Sequence, residues 1–186
     1  TSVIENIKVV NAKYLHEKSG SSIELNYKIY GNGILKIKQT LYPSGVENPE
    51  LPRFGMKVSV NETFDNLEWF GRGPHESYWD RKTSAKIDRY KGKVIDQTYK
   101  YVRPQETGNK TDIRWLALYN GSIGLMIKGL PVFDGSVHHY DYALLDYYKR
   151  SQRHGKIDIA KGDQIDLIVD HKQMGVGLSL IHISEP

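Results

Sequence analysis

Apolar residues in this chain return at every second position in short runs, and that spacing limits the fold more than any other feature. Ile23, Leu25, Tyr27 and Ile29 alternate with Glu24, Asn26 and Lys28. Successive side chains of an extended strand point to opposite faces, so this run predicts a strand with one buried face. Gly31-Asn32-Gly33 follows, and these residues accept the positive φ angles of a tight hairpin turn. Leu35, Ile37 and Leu41, alternating with Lys36, Lys38 and Thr40, supply the returning strand. Val3, Glu5, Ile7 and Val9 have a more ragged period of two, consistent with an opening strand over residues 3–10.

The same reading extends along the chain. Phe54, Met56, Val58 and Val60 predict a strand, entered through Pro52 and closed by Asn61-Glu62-Thr63. Residues 113–119 and 121–127 form a second predicted hairpin around Asn120-Gly121. There Trp115, Ala117 and Tyr119 share one face and Leu116 and Leu118 the other, the pattern of a central strand covered on two sides. Ile157 and Ile159 pair with Ile165, Leu167 and Val169 in a last predicted hairpin across Lys161-Gly162-Asp163. Residues 141–153 are the one segment that reads as helix, with Asp141 at its N-cap and Arg150 and Arg153 near its end. The expectation is an all-β chain, a large antiparallel β-sandwich with at most one short helix. A single domain over residues 1–177 and an atypical, foreign-looking tail over 178–186 complete the predicted layout.

Two runs break the pattern. Residues 69–81 read Trp-Phe-Gly-Arg-Gly-Pro-His-Glu-Ser-Tyr-Trp-Asp-Arg, and Gly71, Gly73 and Pro74 predict a shaped loop rather than a strand. Residues 101–115 have the same character. Arg72, Arg81, Arg103 and Arg114 are available to fork onto Glu76, Asp80, Glu106 or Asp112 in planar, two-point bonds. Such charges serve as loop braces, or as part of a sugar-facing surface beside the aromatic faces, and residue type alone leaves both open. The chain holds thirteen Tyr and three Trp.

Composition narrows the chemistry. With 26 Lys and Arg against 22 Asp and Glu, the net charge of +4 carries no basic stripe of the kind nucleic acids require. No apolar run reaches the ~18 residues of a membrane span. There is no Cys, which removes thiolate nucleophiles, thiolate metal sites and disulfides without choosing a compartment. His138 and His139 are adjacent and, in a strand, point to opposite faces, so they form no metal set. A retaining glycosidase requires two carboxylates about 5–5.5 Å apart. Glu76, Asp80, Glu106 and Asp112 have the right chemistry, but their spacing certifies no such pair.

The two runs, with Leu51-Pro52-Arg53-Phe54-Gly55, Asp80-Arg81-Lys82, Arg114-Trp115 and Met174-Gly175-Val176-Gly177, resemble the C-terminal domain of bacterial β-galactosidases of glycoside hydrolase family 2, the small-chain domain. The match in order and spacing covers residues 1–177. The resemblance implies a galactose-mutarotase-like supersandwich and a parent enzyme that hydrolyses terminal β-D-galactosides with retention. It implies that the catalytic glutamates, and the Mg and Na ligands, lie in a central barrel outside this chain. No catalytic, substrate-binding or metal residue carries over, and no cofactor is expected here. The implied partners are that barrel and, through it, the galactoside, in a homo-oligomeric parent; neither nucleic acid nor membrane is expected. Trp69, Arg72, Glu76, Tyr78, Asp80, Arg81, Arg103, Gln105, Glu106 and Arg114 are then expected to be scaffold. Two elements that reach the family's sugar pocket are expected outside the run: an Arg-Ala-Pro loop before Thr1 and a Gly-Asp-Asp-Ser-Trp run where Leu178-Ser179-Leu180 stands.

Overall fold

A computed structural model describes residues 7–45, 51–101, 105–121, 123–141, 144 and 159–173. The chain divides into two compact units, Thr1–Glu50 and Leu51–Pro186. The antiparallel, all-β class expected from the period-two runs is the class observed, with one three-stranded and one six-stranded sheet among the described residues.

The first unit is the meander β1 (Ile7–Leu15), β2 (Ser22–Tyr30) and β3 (Leu35–Tyr42). The β2–β3 turn closes where predicted: the Gly33 N–H donates to the Tyr30 carbonyl at 3.1 Å, and Gly33 has φ +86°. Cross-strand partners of opposite character meet on β1 and β2, with Lys13 Nζ 3.1 Å from Glu24. The opening strand, expected over residues 3–10, continues to Leu15 because it follows β2 from Tyr30 back to Ser22; residues 3–6 lie outside the described residues.

The second unit contains β4 (Arg53–Asn61), β5 (Asn66–Gly73), β6 (Lys86–Lys93), β7 (Lys110–Asn120), β8 (Ile123–His138) and β9 (Gln164–Gln173). Their order across the sheet is β4-β9-β8-β7-β5-β6. A 3₁₀ turn, Ile95–Gln97, follows β6. One face forms the core. Leu67 and Trp69 of β5 stand opposite Leu118 and Leu116 of β7, and Val137 of β8 opposite Leu167 of β9. All six are buried, with Ile113, Phe133 and Ile165 in the same cluster. Burying each such side chain contributes roughly 1.5–3 kcal/mol. As predicted, β7 is central, with Leu116 and Leu118 buried and Trp115, Ala117 and Tyr119 half-buried on the other face.

Two expectations change. The glycines of the first aromatic run do not end the strand: residues 69–73 are the second half of β5. They stand where the chain has no room for a side chain. A Cβ on Gly71 would lie 2.9 Å from the Ile113 Cα, and one on Gly73 within 2.9 Å of the Trp69 and Tyr90 rings. The last predicted hairpin is also replaced. Ile159 is not in a strand, Ile157 lies outside the described residues, and β9 instead pairs with β4 and with the extended second half of β8. Residues 81–90, unassigned by pattern, supply the start of edge strand β6. Of the expected helix only Asp141 and Leu144 are described, joined by a 2.9 Å bond from the Leu144 N–H to the Asp141 carbonyl; the remainder lies outside the described residues.

The β4–β9 pairing slips by one residue between Phe54 and Gly55. At this bulge a Cβ on Gly55 would lie 2.2 Å from the Val169 carbonyl oxygen and 2.6 Å from the Asp170 Cα. Both atoms are backbone, so the contact cannot be relieved by turning a side chain. Gly55→Ala is therefore expected to cost roughly 1–3 kcal/mol or more in urea unfolding. Gly31→Ala, with nothing within 4 Å of its added carbon, is the near-neutral control.

Candidate functional site

Strand polarity brings the two aromatic runs together. β5 ends at Gly73 and its antiparallel neighbour β7 begins at Lys110, so the β5–β6 connection and the segment entering β7 meet at one end of the sheet. Ser77 joins them. Its N–H donates to the Asn109 carbonyl at 2.8 Å, its carbonyl accepts from Asn109 Nδ2 at 2.8 Å, and its Oγ lies 2.9 Å from Thr111 Oγ1.

Glu76 is the centre of this junction. Its Oε1 accepts from the Tyr101 hydroxyl and from Arg81 Nη2 at 2.9 Å. Its Oε2 accepts from the Gly108 N–H at 2.8 Å and the Thr107 hydroxyl at 3.1 Å. Burial works against the Glu76 charge, but the Tyr101, Gly108 and Arg81 donors outweigh it and hold the carboxyl below its ordinary value. The Arg81 guanidinium also sits 4.4 Å over the ring of buried Tyr78.

Arg72 closes the connection from the other side. Its Nε donates to Asp112 Oδ2 at 2.5 Å, and its Nη1 to the carbonyls of Lys82 and Ala85 at 3.1 and 2.8 Å. Asp112 has φ +55°, a conformation that Asp tolerates better than most residues. Arg114 reaches the Asp112 carbonyl at 2.6 Å rather than a carboxylate. Glu106 pairs with Arg53, which also reaches Asp170 at 2.8 Å. Trp69 is buried and donates its indole N–H to the Arg72 carbonyl at 3.0 Å. Gln105 is half-buried, Asp80 is exposed with no ion pair among the described residues, and Arg103 lies outside them.

An open cavity of about 470 Å³ lies against this junction, lined by Pro74, His75, Glu76, Asp96, Tyr99 and Lys110 among others. Lys110 is buried, 5.3 Å over the Trp69 ring, with Nζ donating to the Gly108 carbonyl at 3.2 Å. Burial, only partly offset by Glu76, pushes its amine down to about 8. Lys110 is not legible as a buried residue, because it stands in a polar stretch that reads as exposed loop. Asp134 carries no signal in the sequence either, and Asp170 reads there only as the end of a strand. They are cross-strand partners on β8 and β9. Burial is the leading cause that raises Asp134 to about 6 and Asp170 to about 7. His138 is fully buried and pushed down to about 3, first by burial and then by the Lys110 charge. His139 Nε2 lies 2.8 Å from Asp65. Among the described residues no three His, Asp or Glu side chains converge as a metal-ligand set.

As a donor-saturated carboxylate, Glu76 is an acceptor and not a proton source. Glu76→Gln turns an amide N–H₂ toward groups that are themselves donors, and should cost roughly 1.5–3 kcal/mol at neutral pH. Because the folded carboxyl is held below its unfolded value, the wild-type contribution is present above the unfolded value and is lost as pH falls through the folded one. Urea unfolding of both proteins from neutral to acid pH should find the gap closing in acid. Asp134 has the opposite sign. Folded Asp134 keeps its proton up to about 6 while the unfolded chain releases it near 4, so this group's contribution falls as pH rises between those values. Asp134→Asn retains an acceptor for the Asp112 N–H and is expected to gain roughly 1–3 kcal/mol at pH 7, with no gain in acid.

Comparison with known proteins places this geometry in context. The family described as Beta galactosidase small chain matches residues 1–182. A β-galactosidase of Priestia megaterium is 41% identical over 91% of the chain, the match covering 16% of that protein. A Vibrio cholerae β-galactosidase is 30% identical over 95% of the chain and 16% of its own length, and one from Staphylococcus xylosus 26% identical over 95% and 17%. The chain thus spans about a sixth of the length of these curated relatives. It belongs to the β-galactosidase small-chain family.

Proposed function

We propose that this chain is a non-catalytic accessory domain of a β-galactosidase, braced against the barrel that carries the parent's catalytic glutamates. The parent hydrolyses terminal β-D-galactosides of the lactose type with retention, and the domain is inert alone. Magnesium and sodium act in the parent's barrel, and the parent assembles as a homo-oligomer.

The observation that carries this reading is the engagement of three of the four candidate acids, the fourth, Asp80, being exposed. Glu76 receives four donors, Asp112 is held by Arg72 and Lys82, and Glu106 is paired with Arg53. Burial opposes the Asp112 charge, but Arg72 and Lys82 prevail and hold it below its ordinary value, as with Glu76. A glycosidase acid must instead keep its proton near neutral pH, which requires a raised pKa. The small share of each relative that the chain covers supports the same reading.

Assays of a chromogenic β-galactoside test it. The isolated chain should release no chromophore above buffer, and full-length parent should lose most activity when this segment is deleted. Turnover by the isolated chain that disappears in Glu76→Gln, or undiminished activity of the deleted parent, would overturn the proposal.

A further inference from the structure

The cavity beside Glu76 has a floor that the scaffold reading leaves unused. Lys110 is 3% exposed, yet it lines the cavity, and its ammonium has three N–H donors. Among the described residues it has one acceptor, the Gly108 carbonyl. Glu76, whose charge acts on it, gives nothing further, because its roughly four acceptor positions are already filled. A buried ammonium with unfilled donors is costly unless something in the cavity supplies oxygen.

The remaining lining defines what that oxygen belongs to. Tyr99 is 64% exposed and stands edge-on to Tyr101, centroids 4.7 Å apart, offering an aromatic surface. Asp96 is exposed on the 3₁₀ turn with no hydrogen bond or ion pair among the described residues. Two carboxylates, Glu76 and Asp96, against one ammonium disfavour an anion, and Lys110 disfavours a cation. A donor, a free acceptor and an aromatic face together suit a neutral molecule whose hydroxyls both donate and accept and whose C–H groups are apolar. The volume, about 470 Å³, falls within the range of small-ligand sites, roughly 300–1,000 Å³.

We propose that this cavity is a carbohydrate-binding site of the chain's own, taking a neutral mono- or disaccharide. Lys110 donates to one sugar hydroxyl, Asp96 accepts from another, and Tyr99 covers a C–H face. Glu76 is the positioning residue that fixes Tyr101 and the Gly108 turn around the ligand.

Titration of the 186-residue chain with D-galactose and with lactose, followed by amide NMR shifts, tests the site. Saturable shifts are expected at Tyr99 and Gly108, with Kd of roughly 1–10 mM. Tyr99→Ala and Asp96→Asn alter exposed side chains and should each weaken binding roughly tenfold while the remaining spectrum stays in place. Lys110→Met should abolish it. Absence of saturation by either sugar would overturn the proposal. So would unchanged affinity in Tyr99→Ala and Asp96→Asn, or saturation of the same shifts by inorganic phosphate instead. None of these readouts involves hydrolysis, so failure here leaves the accessory-domain reading standing, and failure of that reading leaves this site standing.

Discussion

A desolvated carboxylate, Glu76, holds the end of the six-stranded sheet together. The β5–β6 connection and the segment entering β7 have few apolar side chains with which to pack, so polar contacts must define their course. A charge in that position is unfavourable by itself. It becomes stabilising when a hydroxyl, a guanidinium and a backbone N–H converge on it, as Tyr101, Arg81 and Gly108 do. Arg72 and Asp112 repeat the device one step away, tying the loop's far end to β7. The arginine–aromatic character of these segments follows from this requirement: Arg supplies fixed, planar donors, and Tyr78 and Trp69 supply the surfaces on which cations rest.

The buried acids of this unit fall into two electrostatic classes. Glu76 and Asp112 are held below their ordinary values because donors outweigh burial. Asp134 and Asp170 are raised because burial outweighs their partners, even with Arg53 beside Asp170. Neighbouring carboxylates add to the difficulty of ionising, Asp134 acting on its cross-strand partner Asp170 and Asp112 acting on Asp134. Acidification therefore loosens the loop junction and relaxes the β8–β9 core, two effects of opposite sign within one sheet.

Much of the architecture was legible in period-two alternation, since a half-buried strand records its burial in alternating polarity. The β2–β3 hairpin and central β7 follow directly from it. The reading failed where other constraints override polarity. Gly71 and Gly73 read as breakers, but in β5 they answer close approach by Ile113 and by the Trp69 and Tyr90 rings, a tertiary fact without a local trace. Strand β8 outlasts its apolar run because its later half pairs with β9. The Glu76–Arg81 and Arg72–Asp112 pairings were open to residue-type reasoning. Which arginine reached which acid was not, since Arg53 joins Glu106 from 53 positions away. Lys110 escaped notice because burial of a lysine runs against the general preference of its type.

Loop bracing and ligand capture arise from the same arithmetic of donors and acceptors. A carboxylate offers about four acceptor positions, and Glu76 gives all of them to the two converging segments. That commitment fixes Tyr101 and the Gly108 turn, and it also withholds a close partner from Lys110. Had Glu76 been free to pair with the ammonium, the cavity floor would be neutral and self-satisfied, and the junction would lack its anchor. The structural role of the acid thus sets the polarity of the pocket, leaving an electropositive floor beneath an aromatic and acidic rim.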